Sequence, residues 1–179
     1  MRRILPRSRP KATRADVLKY AADAGLDLNA CPILIIGVRG YYLRTMGKPY
    51  QNDRNLYDDA MFLVTADDFV SYNCNVDPSK YRKGIASLVP GIYKAVKWRH
   101  KGKYAALQIV EDRVSRDGQT RVDVGRHGIN FHYGGDDDTW SEGCLTFPRA
   151  QYWQFQGAVY ELMDELKQRA VTFLLVEND

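Results

Sequence analysis

Apolar residues fall in short runs through most of this chain, and only near its two ends do they take the three-and-four spacing of an amphipathic helix. The first helix starts at Thr13-Arg14-Ala15-Asp16, with Thr13 as N-cap and Asp16 reaching back. Val17, Leu18, Ala21 and Ala22 form its buried stripe, and Gly25 ends it. Cys31–Val38 reads as a buried strand, followed by turns at Gly40 and Gly47. Met61–Val64 and Phe69–Asn73 pair as a hairpin through the polar turn Thr65–Asp68. Ile92–Lys97, Tyr104–Val110 and Arg121–Val124 continue the series, separated by Lys101-Gly102 and Asp117-Gly118. Gly128–His132 alternates, with Ile129 and Phe131 facing a core and His132 facing the other way, and a second short run covers Leu145–Phe147. After Pro148, which suits a first helical position, Tyr152, Phe155, Val159, Leu162, Met163 and Leu166 mark an amphipathic helix over the sheet. Val171–Val176 is a closing strand. The pattern predicts a mostly-β, α+β domain with an N-terminal and a C-terminal helix.

Charge changes this picture only at the N-terminus. Arg2, Arg3, Arg7, Arg9, Lys11 and Arg14 are six of the 26 basic residues, and the remaining 20 stand against 22 acidic ones, so the body is slightly negative and the basic balance belongs to the tail. Pro6 and Pro10 predict an extended or disordered tail over 1–14, ahead of a single domain over 15–179. Such a tail suits contact with an anionic surface, or serves only as a solvated leader. Nucleic-acid binding by the body has neither charge nor motif behind it. Ile4-Leu5 is too short for a signal-peptide core and no run is long enough to span a membrane, so the chain is expected to be made in the cytoplasm.

The candidate chemistry lies in Gly128–Phe147. A His at the end of one strand and a Cys at the start of the next can meet across the intervening loop, because neighbouring strands lie about 5 Å apart. A thiol needs a neighbouring imidazole to take its proton, and His132 can serve Cys144 in that way. The backbone amides of Gly143 and Cys144 are candidates to hold the oxyanion that develops when a carbonyl is attacked. Taken singly, Cys144 also reads as a buried small hydrophobe and His132 as a satisfied strand histidine. Cys31 and Cys74 read as inert thiols. His100, in a basic stretch, is expected to be exposed, and His127, an odd five residues before His132, to face away from the chemistry. A metal held by His127, His132, Cys144 and one of Asp136–Asp138 lacks any recognised ligand spacing, so no metal and no cofactor is expected.

The segment resembles the signature of the L,D-transpeptidase (YkuD-like) catalytic domain, where a Gly-Ile-His-Gly-type strand is followed, after a loop, by Ser-His-Gly-Cys and an apolar residue. Gly128–Gly134 and Ser141–Leu145 match it, and Leu88–Tyr93 resembles the family's Thr-Pro-x-Gly-x-Tyr/Phe stretch. Val38-Arg39-Gly40-Tyr41, Asn52-Asp53-Arg54 and Tyr57-Asp58-Asp59-Ala60 add similarity to a divergent single-domain branch met in phage and prophage genomes. The resemblance implies a β-sandwich or barrel and cysteine-dependent acyl transfer on peptidoglycan stem peptides through a thioester. The reaction would be transpeptidation, or hydrolysis as an L,D-carboxypeptidase or endopeptidase, acting at the bacterial cell wall after delivery or lysis. It implies Cys144 as nucleophile, His132 as base, Gly143 at the oxyanion, and Tyr133, Gly134, Ser141 and Glu142 along the substrate. Two positions depart from the family: Glu142 stands where His is usual, and Thr146 where a basic residue is usual. Glu142 would either oppose thiolate formation or orient His132, and the second is expected. The alternative is a wall-binding or virion structural protein that keeps the fold without the activity.

Overall fold

A computed structural model describes residues 4–178 of the chain. The N-terminal helix α1 (Arg14–Asp23) carries the expected cap. Thr13 accepts from the Asp16 amide and Asp16 accepts from the Thr13 amide, so two of the helix's orphan donors are satisfied reciprocally. The strands follow as β1 (Leu34–Arg39), β2 (Asp59–Val64), β3 (Phe69–Cys74), β4 (Ala86–Leu88), β5 (Gly91–His100), β6 (Tyr104–Ile109), β7 (Asp112–Arg116), β8 (Val122–Gly125), β9 (Asn130–Tyr133) and β10 (Leu145–Phe147). The second helix α2 (Arg149–Glu165) and β11 (Val171–Glu177) complete the chain.

Eight strands form one sheet in the order β10-β9-β6-β5-β11-β1-β2-β3. Its two edges nearly meet, because Asn75, just past β3, exchanges backbone hydrogen bonds of 2.8 Å with Thr146 of β10. The sheet is therefore a nearly closed barrel whose exposed edges are all but removed. β11 does not close an edge as its position at the end of the chain suggests; it lies between β5 and β1, parallel to β1. Strands β4, β7 and β8 make a separate small sheet.

β1 is buried on both faces, which is why it reads as an unbroken apolar run. Its period of two still sorts the side chains. Ile33 and Ile35 join the larger core with Phe131, Leu145, Phe147 and the α2 residues Tyr152, Phe155 and Val159, whereas Leu34, Ile36 and Val38 pack with Val17 and Ala21 of α1. α2 rests on β3, β6, β9 and β10, so it braces the strands that carry Cys144 and His132. Phe155 is at its centre, stacked on Phe147 and Phe131, and truncation to Ala there is expected to cost about 3–5 kcal/mol.

The expected flexible tail over 1–14 is corrected for its described part, since Met1–Arg3 lie outside the described residues. Ile4 is buried against Leu56 and Tyr57, and its carbonyl accepts from the Tyr57 amide at 2.8 Å. Tyr41 accepts from the amides of Lys11 and Ala12, and the Ser71 hydroxyl donates to the Pro10 carbonyl. Arg9 and Arg14 are tied to Ser71 and Thr65 carbonyls. Among the described residues no helix is long and apolar enough to cross a membrane.

Candidate active site

β9 and β10 run parallel, with Leu145 opposite Phe131 and Thr146 opposite His132. A parallel pair requires a crossover, and residues 134–144 supply it as a loop without a helix. Phe131, Leu145 and Phe147 face the core. By alternation, Asn130, His132, Cys144 and Thr146 share the other face. The register puts Cys144 beside Asn130, whose amide donates to Sγ at 3.5 Å, while the thiol in turn meets the Gly128 carbonyl at 3.9 Å. Cys144 is half-buried, whereas Cys31 and Cys74 are buried.

His132 is buried at the end of β9, and its Nδ1 lies 2.8 Å from the carbonyl of Tyr133. A carbonyl can only accept, so Nδ1 carries the proton and Nε2 keeps the lone pair. Burial pushes the imidazole down to about 4, with the positive potential of Lys101 adding to the effect, so it is neutral and able to accept a proton at neutral pH. Among the described residues no hydrogen bond joins the imidazole to Sγ. Burial pushes the Cys144 thiol up; Asn130 and Lys101 oppose that rise and Glu142 adds to it. The resting pair is therefore a neutral thiol and a neutral imidazole, which suits proton transfer during attack rather than a preformed thiolate.

The turn before the thiol is built by Ser141, which is 3% exposed. Its hydroxyl accepts from the Gly143 amide at 3.2 Å and donates to the Cys144 carbonyl at 2.7 Å. The Ser141 backbone exchanges bonds with Ser79, through its amide to the Ser79 hydroxyl and its carbonyl from the Ser79 amide. Ser141 thus shapes the loop ahead of the thiol, with its hydroxyl committed to the Gly143 amide and the Cys144 carbonyl. Gly143 has φ +119, and a Cβ there would stand 2.6 Å from the Ala86 carbonyl oxygen, so only glycine fits. Because the Gly143 N–H is already bonded, the amide left for an oxyanion is that of Cys144, which has no hydrogen-bond partner among the described residues.

Other expected positions separate in the same way. Gly134 is buried against the Tyr57 hydroxyl and the Thr139 carbonyl, and its N–H donates to Phe147, so it fixes the loop. Tyr133 is partly exposed, stacked on Tyr104 at 4.8 Å and covered by the Arg149 guanidinium. Glu142 points outward and pairs with exposed Arg82 at 3.3 Å. The expectation that it orients His132 is corrected: the Tyr133 carbonyl does so.

One histidine differs from expectation, and another is held away from the thiol. His100 is buried, not exposed, and stacks on His132 with ring centroids 4.3 Å apart. His127 lies ahead of β9, where its Nδ1 meets the fully buried carboxylate of Asp112 and its amide donates to the same group at 3.1 Å. Asn130 is a site residue that the sequence reading missed: its side chain donates to the Gly128 carbonyl and accepts from Gln108, which itself accepts from Arg126. Its place two residues before His132, on the same strand face, is the signal that could have found it. Asp138 caps its own turn through the Trp140 amide, and among the described residues no group of three or more His, Cys, Asp or Glu is arranged to hold a metal. No protein-family model matches the chain, and no curated protein sequence matches it.

Proposed function

We propose that the protein is a cysteine acyl transferase of the L,D-transpeptidase type, acting on the stem peptides of bacterial peptidoglycan. The reading rests on one observation above the others: a half-buried thiol one residue ahead of β10, and an imidazole at the end of the parallel strand β9 whose Nδ1 is held by the Tyr133 carbonyl, fall on the same face by alternation. A mostly-β, nearly closed barrel is also the kind of scaffold the reading requires.

In this reading Nε2 of His132 takes the thiol proton as Sγ attacks the carbonyl carbon, and the Cys144 N–H donates to the oxyanion. Collapse of the intermediate breaks the C–N bond, and the imidazolium returns its proton to the departing amine, leaving a thioester on Cys144. Water then gives the acid, as in an L,D-carboxypeptidase or endopeptidase, and an amine gives an exchanged or cross-linked peptide. Apo sites of this kind often lack the nucleophile–base hydrogen bond until substrate is bound. The work would be done at the cell wall after delivery or lysis.

Mass analysis of muropeptides incubated with the protein tests this. Loss of a terminal residue, cleaved cross-links or exchange of a D-amino acid, each absent with Cys144→Ala, is the expected result. Unchanged masses favour a second reading, a wall-binding or virion structural protein of the same fold. That reading has one observation on its side: the thiol rests protonated toward the Gly128 carbonyl, without a bond to the imidazole.

A further inference from the structure

Trp140 lies in the loop between His132 and Cys144, and it is turned outward. Its neighbours are not: Thr139 is fully buried against the Ser79 hydroxyl and the Asn55 side chain, and Ser141 is held by Ser79 on the other side. Between them Trp140 has φ +54, a left-handed conformation unfavourable for a bulky residue, and the Asp138 carboxylate accepts from its amide at 2.7 Å. The indole rests on Gly135. A Cβ at that glycine would stand 2.6 Å from Cε2 and 2.7 Å from Cζ2 of the ring, so only glycine leaves the ring its seat. Tyr133 meets the indole at 64° rather than stacking on it, and Trp140 remains 58% exposed. A single exposed apolar residue needs no explanation, but a strained backbone and a glycine seat that together present a broad aromatic ring to solvent do.

The indole walls a cavity of about 250 Å³ that Ser79, Lys80, Arg82, Asp138 and Glu142 also line. Two ion pairs stand there, Lys80 with Asp138 at 3.9 Å and Arg82 with Glu142 at 3.3 Å, each joining the segment between β3 and β4 to the loop. Their charges cancel. A carboxylate or an ammonium entering here meets no net attraction, whereas a neutral ring bearing hydroxyl groups finds carboxylate acceptors and N–H donors side by side. An aromatic face with such a border is what a pyranose requires. Its hydroxyl groups take the hydrogen bonds, and its C–H face carries the partial positive charge that suits the negative face of an indole.

We propose that Trp140 is the platform of a saccharide site, taking one pyranose of an uncharged amino-sugar polymer against its open face. The identity of that polymer rests on the acyl-transfer reading, in which the sugar belongs to the glycan strand that bears the stem peptide. Trp140 precedes Cys144 by four residues, at most ~14 Å of extended chain, which is within the span of one glycan-linked stem peptide. The preferred donor is then a peptide still attached to its sugar, not a free one.

Calorimetric titration with chitotetraose, the uncharged and peptide-free tetramer of N-acetylglucosamine, tests the site apart from any turnover. The unmodified protein is expected to bind it, and Trp140→Gly, which removes the ring and suits the positive φ, should raise Kd about tenfold or more. Trp140→Phe keeps a smaller ring and should fall between the two. Trp98→Ala, which removes an exposed ring on β5 outside this loop, should leave Kd unchanged. In turnover, Trp140→Gly should raise KM for a disaccharide-linked stem peptide about tenfold, leaving kcat and the KM of the same peptide without sugar as they were. Absence of tetramer binding, or an equal Kd in Trp140→Gly, overturns the assignment and leaves the acyl-transfer reading standing if peptides are still acylated. An equal rise of KM for both substrates also overturns it, since a disturbed loop would give that result. If the tetramer binds through Trp140 and no acyl group is transferred, the saccharide site stands and the acyl-transfer reading fails.

Discussion

The rings of His100 and His132 lie face to face, 4.3 Å apart and 30° from parallel, although they come from strands separated by β6. The stack covers one side of the imidazole while the Tyr133 carbonyl holds its Nδ1. His100 Nδ1 is buried with no hydrogen-bond partner. A phenyl ring would keep the stack and remove that unsatisfied atom. His100→Phe is accordingly expected to keep most activity and to raise stability by about 1 kcal/mol in urea unfolding. His100→Ala should lower kcat about tenfold or more with little change in KM, because a base freed to rotate misses the thiol. Equal losses in both variants would show that stacking is not what His100 contributes.

Stability at low pH follows from the buried imidazole. The unfolded histidine binds its proton near 6.5 and the folded one only near about 4, so between these values the unfolded chain holds more protons. The stability is fully present above 6.5 and is lost as pH falls through the window, by about 3 kcal/mol in all. Urea midpoints at pH 7 and pH 4 for the unmodified protein and His132→Gln should diverge at neutral pH and converge in acid. Parallel pH dependences would contradict the buried neutral imidazole.

The alkaline side has a different origin. Asp58 is buried with both carboxylate oxygens unpartnered, and burial with the neighbouring Asp59 charge pushes it up to about 9. Asp59, buried and beside Asp77, is pushed up to about 7 even though the Gly40 and Val76 amides donate to it. These groups hold protons in the folded state that the unfolded chain releases near 3.8, so stability declines as pH rises through their folded values. Asp58→Asn removes the charge that must otherwise form there and should flatten the fall of the urea midpoint between the carboxyl's unfolded value of 3.8 and its folded value of about 9. An unaltered slope would mean that Asp58 is already ionised at neutral pH.

The turn holding the thiol gives a fourth test. Ser141→Ala strands the Gly143 amide and the Cys144 carbonyl in a buried loop, and should cost about 1–3 kcal/mol of stability along with a loss of kcat. Gly143→Ala should be worse, since its Cβ meets the Ala86 carbonyl from a φ that alanine resists. Activity in Gly143→Ala comparable to the unmodified protein would contradict this loop geometry.

The sequence was most legible where one face of a strand is buried and the other is not. Ile129 and Phe131 against His132 marked both the strand and the face that carries the candidate site, and the β2–β3 hairpin followed from its polar turn. β4 and β7 went unread because Ala86–Leu88 is too short for a period and Asp112–Arg116 is mostly polar. Contacts that join distant segments were not legible at all. His100 was assigned to solvent because its flanking lysines and arginines are charged, whereas the hairpin turns it inward onto a ring 32 positions later. Ser141 and Gly134 carry no local sign that their partners are Ser79 and Tyr57. The tail's arginines read as free charge because nothing in 1–14 names the carbonyls of Thr65 and Ser71 that they meet.

If Cys144 forms a thioester with a peptide carbonyl and His132 takes its proton, the acylated protein can be trapped and weighed. Intact-protein mass measurement after rapid acid quench of a reaction with a peptidoglycan stem peptide reads this directly. The expected result is a mass increase equal to the acyl fragment, mapped by digestion to Cys144, released by hydroxylamine, and lost in both Cys144→Ala and His132→Ala. An adduct on another residue, or turnover that persists in Cys144→Ala, would contradict it.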